Sequence, residues 1–244
     1  VDAYIGFDQP LQGHRYIMAK FEAPLTSEEE KKCLTFLKHK FPQETLASGR
    51  LRQNNLADWL LQRPEHVEAT AITLLQIIND ESADLLWREF CIQKLALAIA
   101  QPKLSERLRT ECYKTLKRRA TDSRISFSGT ALLGLYRLHQ MDSERLPAEE
   151  ILPLAETVLK QNEFPMANKV TALQVAGLLG SREALEYARD CYTRRSEGVS
   201  IWVVNSSDIV ASQEDDAEAF YDPMDDKPYR HATHYELPDP VNNM

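Results

Sequence analysis

Glycine is scarce in this chain, with 8 among 244 residues. Hairpin turns rely on glycine for positive φ, so the scarcity disfavours a turn-rich all-β fold and favours helices. No apolar run approaches the ~20 residues that a helix needs to cross a bilayer. The phosphate-cradling patterns G-x-x-x-x-G-K-[ST] and G-x-G-x-x-G are missing, which argues against a nucleotide fold. G-x-S-x-G and H-E-x-x-H are missing too, so neither a nucleophile elbow nor a zinc-protease helix is present. Cysteine is limited to Cys33, Cys91, Cys112 and Cys191, with no C-x-x-C spacing. Three of these fall on apolar helical faces and read as small core residues. A long-range disulfide stays open, but its pairing cannot be deduced from sequence. Excess positive charge is also lacking: 29 Lys and Arg face 37 Asp and Glu, giving a net charge of −8. That balance supplies little of the field that binds a phosphate backbone.

What the chain does have is helical periodicity. Ser27-Glu28-Glu29-Glu30 reads as a capping box, with Ser27 and Glu30 satisfying each other's amides. Leu34, Leu37 and Phe41 follow at helical spacing until Pro42. A helix over 44–62 carries Leu56, Trp59 and Leu60. Beyond Pro64, the stripe Val67, Ala71, Leu74, Leu75 and Ile78 is a clear 3.6-residue pattern. Trp87, Phe90, Cys91, Leu95, Ala98 and Ile99 mark the next helix, which ends near Pro102. Leu104, Leu108, Cys112 and Leu116 mark another, and further helices are predicted over 125–139, 148–160, 166–179 and 181–195. Pro153 should kink or restart the helix that contains it. Gly180 is the tight link between the last two helices.

Short loops between helices with one apolar face force consecutive helices to lie antiparallel. Small residues at Ala96, Gly134 and Ala176 recur in three helices at separations close to forty residues, where they let neighbours approach closely. On these residues the chain resembles the HEAT-like (armadillo-type) α-solenoids over roughly 27–195. The segments Leu86-Trp87-Arg88-Glu89-Phe90-Cys91-Ile92-Gln93-Lys94-Leu95, Gly129-Thr130-Ala131-Leu132-Leu133 and Val170-Thr171-Ala172-Leu173-Gln174-Val175 look like pieces of uncharacterised bacterial HEAT-like proteins. The usual proline and acid-to-base ladder is approximated only once, by Pro153, Glu163 and Lys169. The resemblance implies an all-α superhelix of about four antiparallel helix pairs and a general binding role.

Three regions follow: an extended N-terminal arm over 1–26, the helical repeat region over 27–195, and a C-terminal region over 196–244. The last begins with the β-branched run Val199-Ser200-Ile201-Trp202-Val203-Val204 and continues as an acidic tail containing Tyr and Pro. Phe220, Tyr221, Tyr229, Tyr235 and Leu237 give that tail apolar groups with which to dock, or it stays solvated; the sequence leaves both open. The chain starts at Val1 and not at methionine, as a product trimmed of a signal peptide would. This favours an exported, periplasmic protein, with a cytoplasmic one as the alternative.

Candidate chemistry is sparse. His231 and His234 lie near Asp222, Asp225 and Asp226, but nothing enforces a common face for them, so no metal site is expected. Cys33 and His39, six residues apart, fall on different faces of a helix. No catalytic residue and no cofactor are expected. A basic stretch contains Arg107, Arg109, Lys114, Lys117, Arg118, Arg119 and Arg124, in which Lys114, Lys117 and Arg118 share a face. With Arg119, these three form the candidate interaction surface. Trp59 and Trp87 are expected in the core. The reading from sequence is therefore a noncatalytic scaffold for a protein or peptide partner, with nucleic acid disfavoured. Its alternative is a HEAT-like DNA repair enzyme of the glycosylase type, holding DNA on the basic face.

Overall fold

The computed structural model describes residues 25–193 together with 221–222 and 227–228. Among these, nine helices follow one another: α1 (Ser27–Leu37), α2 (Leu46–Leu61), α3 (Val67–Asn79), α4 (Leu85–Ala100), α5 (Glu106–Ala120), α6 (Ser128–Met141), α7 (Ala148–Lys160), α8 (Met166–Leu178) and α9 (Arg182–Thr193). Two short strands, β1 (Tyr221–Asp222) and β2 (Lys227–Pro228), pair antiparallel with Tyr221 opposite Pro228. The all-α class is as expected from the sequence. None of the described helices is long and apolar enough to cross a membrane. The arm, apart from residues 25 and 26, lies outside the described residues, as do Trp202, His231 and His234.

The chain divides into two compact units, Val1–Leu116 and Lys117–Met244. In the first, α1 packs on α3 and α2 on α4, besides the sequential contacts between neighbours. In the second, α6 packs on α8 and α7 on α9 in the same way. Each unit is therefore two layers of helices, which is what short antiparallel connections produce when each helix has one broad apolar face. In the first unit the core is built on Phe36, Leu37, Leu56, Leu60, Leu74, Ile78, Ile92, Leu95 and Ile99, all essentially fully buried. In the second, Phe127, Leu132, Leu135, Ile151, Ala155, Leu173 and Val175 take that place. Trp59 and Trp87 are buried as expected, whereas Leu75 is only half-buried and Ile77 faces the core in its stead.

Two local expectations require correction. The capping box sits one residue earlier than predicted: Thr26 caps α1, and Glu29 reaches back to the Thr26 amide at 2.9 Å. The threonine hydroxyl accepts from the Glu29 amide at 3.3 Å. Both T-x-x-E and S-x-x-E are present, and the Thr26 frame leaves Glu30 available to bind His66 Nδ1 at 2.7 Å. Pro153 does not restart its helix, since α7 runs through it from Ala148 to Lys160. Pro153 is the sixth residue of α7, so only one backbone hydrogen bond is forgone. Gly180 is the link expected, with φ +76°. Its amide bonds to Gly177 O and that of Ser181 to Ala176 O, both at 2.9 Å, closing a Schellman motif.

Helix ends are closed across the short loops by a recurring device. The fourth residues of α4, α5 and α8 are Arg88, Arg109 and Lys169, and each is buried. Each points back to a carbonyl ten residues earlier, in the last turn of the preceding helix. Arg88 Nη2 donates to Ile78 O at 3.1 Å, Arg109 Nη1 to Ile99 O, and Lys169 Nζ to Leu159 O at 3.4 Å. Arg109 also bonds to Gln101 O and Leu104 O at 2.9 and 3.0 Å. Gln53 of α2 does the same work without charge, donating to Phe36 O, Leu37 O and His39 O at 3.1, 3.0 and 2.9 Å. Carbonyls at a helix C-terminus lack intrahelical donors and lie at the negative end of the dipole, so a buried cation there satisfies both deficits. Replacing Arg88 with methionine keeps much of the volume but orphans Ile78 O, so the expected cost is about 2 kcal/mol in urea-monitored unfolding.

Candidate functional site

In the first unit, a cavity of about 360 Å³ opens where the α1–α2 and α3–α4 turns meet. Its walls include Phe41, Gln53, Gln76 and Trp87, and its charged rim is Lys38, Lys40, Asp80 and Asp84. The rim groups engage one another. Lys40 Nζ lies 3.0 Å from Asp80 Oδ2 and donates to Ser82 Oγ, while Ser82 donates from its amide and hydroxyl to Asp80 Oδ1 at 3.0 and 2.5 Å. Trp87 Nε1 donates to Leu37 O at 2.9 Å, joining α4 to the end of α1. Asp84 accepts from the Trp87 amide at 2.9 Å as the N-cap of α4. His39 is held below its ordinary value by burial and then by Arg52, so it stays neutral at pH 7. The arrangement is a polar latch between two turns, without a nucleophile set against a base.

The hydrogen bonds from Ser82 and the contact with Lys40 hold the Asp80 carboxyl at about 2, against an ordinary 3.8. A depressed carboxyl contributes stability above its unfolded value, and that contribution is lost as pH falls through its folded value. The latch should therefore persist down to about pH 2.

The candidate basic residues do not form one exposed patch. Lys114 and Arg118 are exposed, Lys117 is half-buried and pairs with Glu150, and Arg119 is buried with Nη1 3.1 Å from Asp122 Oδ2. Arg124 binds the same Asp122 at 2.8 Å, and burial of Arg109 takes it off the surface as well. The repeat positions Ala96, Gly134 and Ala176 lie on α4, α6 and α8 and are all buried. Among the described residues, no group of three His, Cys, Asp or Glu side chains could hold a metal ion. Three of the four thiols are described, and all three are buried: burial pushes Cys33 up to about 11 and Cys112 to about 12, and raises Cys91 well above its ordinary value.

Comparison with known proteins turns attention to the other end of the chain. Residues 162–242 match the family described as phenylacetic acid degradation B, PaaB. The chain is also 47% identical over 92 residues to a small component of 1,2-phenylacetyl-CoA epoxidase from Escherichia coli (strain K12), the one designated B. Those 92 residues are 38% of this chain and cover 94% of the relative. No solved structure matches. The matched region takes in α8 and α9 and runs on beyond the last described helix.

These matches overturn the functional reading drawn from the sequence. The relative is part of an enzyme of aromatic-acid degradation, so a noncatalytic peptide scaffold and a DNA glycosylase are both corrected. The error has a physical origin. The helices ahead of it dominate the apolar pattern, while the matched segment carries no phosphate, nucleophile or metal motif that spacing rules detect. The one available signal was the change of composition near residue 196, joined to the apolar aromatic groups that follow.

Two outcomes are expected. In proton-detected titration Asp80 should ionise near 2, and Lys40→Met with Ser82→Ala should move it toward 3.8. At pH 8 a disulfide reagent followed by peptide mapping should leave Cys33, Cys91 and Cys112 unlabelled until denaturant is added.

Proposed function

The chain belongs to the phenylacetic acid degradation B family, and we propose that it acts as one component of an epoxidase whose substrate is phenylacetyl-CoA. The observation that carries this reading is the 47% identity across nearly the whole of the relative. Identity at that level across a complete small protein supports a shared fold and shared partner contacts over the matched region. The partners are then the remaining components of the epoxidase, and the reaction is the one named for the relative: oxygen added across positions 1 and 2 of the aromatic ring. The net acidity and the dispersed basic residues favour protein partners over nucleic acid.

The helices ahead of the matched segment form the second half of the proposal. We read them as HEAT-like repeats. The alternation of two helix layers supports this, as do the small buried residues at Ala96, Gly134 and Ala176 on every second helix. Arg88 and Lys169, equivalent in their helices, stand 81 residues apart, close to two repeat lengths.

Co-expression tests the epoxidase reading. The full chain, supplied to E. coli K12 cells that lack the matched relative, should co-purify with the other epoxidase components and restore oxygenation of phenylacetyl-CoA. Absence of both co-purification and product would overturn the assignment.

A further inference from the structure

We infer that the helices ahead of the matched segment serve as its built-in docking partner, so that α6 and the turn before it hold α8 through a buried polar seam. The inference rests on the family match for the limits of the segment, and otherwise on contacts within the second unit. The 92 residues that cover the relative almost end to end must begin by residue 153 to end within the chain, so α1–α6 have no counterpart in it while most of α7 does. The segment nevertheless does not satisfy its own polar groups. Asn168, buried on α8, accepts at Oδ1 from the Gly129 amide at 3.3 Å and donates from Nδ2 to Ile125 O at 3.4 Å. Lys169 is buried beside it and reaches Leu159 O at the end of α7. Ser181, the cap of α9, donates from Oγ to Glu156 Oε1 at 2.7 Å and accepts from the Ala184 amide at 3.1 Å. Gly129 and Ile125 precede both matches, whereas Leu159 and Glu156 precede the family match at 162 but fall within the 92 residues that match the relative, so the seam that reaches beyond the matched region is the one at Asn168.

Shape agrees with chemistry. A Cβ at Gly129 would stand 3.1 Å from Thr171 Cβ and Oγ1, so α6 and α8 approach through a gap that glycine leaves open. Stripping α6 away would expose α8 while orphaning the buried Asn168 amide, a costly group to leave unpaired. The segment in this chain is thus fitted to its own helices, and it carries them into the epoxidase assembly as one body.

Hydrogen–deuterium exchange on the full chain tests the seam. Gly129→Ala lies outside the matched segment, yet it should lower amide protection over 166–190 at least about tenfold, together with 128–160. Asn168→Ala should do the same, and Asn168→Asp, which keeps the acceptor for the Gly129 amide, should lose less protection. Protection over 67–100 should stay as in the wild type. Unchanged protection over 166–190 in Gly129→Ala and Asn168→Ala would overturn the inference, because the segment would then hold itself. If Gly129→Ala does not fold, the Asn168→Ala and Asn168→Asp pair gives the same decision. Capture of the other epoxidase components by the wild-type chain is a separate readout: its failure beside an intact exchange result sinks the epoxidase reading and leaves the seam standing.

Discussion

The structure depends on how the ends of its helices are satisfied. A helix that stops in a short, partly buried loop leaves carbonyls with neither water nor amide to bind. Here the following helix supplies the missing donor from its own first turns: Gln53, Arg88, Arg109 and Lys169 all reach back to carbonyls of the helix before or of the loop that follows it. The charged donors also sit at the negative end of a dipole, where a cation gains extra stabilisation. Burying such cations would otherwise be prohibitive. The contact therefore links the angle between two helices to the identity of one side chain, and it recurs in both units.

That constraint explains what could be read from the sequence. Nine helices were visible because apolar residues recur at helical spacing between prolines and polar turns, and because burial follows that period directly. Leu56, Leu60, Leu74 and Ile78 occupy the core as their spacing requires. Caps were legible only to within a residue, since Thr26 and Ser27 offer the same chemistry and the choice is made by a tertiary contact, Glu30 with His66. Arg109 and Arg119 were misplaced on a basic surface. Sequence shows that a residue carries charge, but its burial is decided by carbonyls and carboxylates brought near by folding, such as Leu104 O and Asp122.

Function was least legible, for a different reason. The helices announce themselves through period, whereas the segment that matches the phenylacetic acid degradation B family has no spacing that physics alone ties to a reaction. Its last helices also look like one more repeat pair, because α8 and α9 pack on α6 and α7 as the earlier helices pack on each other. The family segment thus begins with helices packed like those before it. The seam at Ile125, Gly129 and Asn168 is where the two parts of the chain meet.

The central claim is that the matched segment, carried on its own helices, is the part of the chain that joins an epoxidase. Cross-linking mass spectrometry on the full chain assembled with the remaining epoxidase components addresses it most directly. With a carboxylate-coupling reagent, cross-links to those components should concentrate on Asp and Glu at or beyond residue 162, with the exposed Glu163, Glu186 and Asp190 among them. Cross-links confined to carboxylates of α1–α5, with none beyond residue 162, would contradict the account.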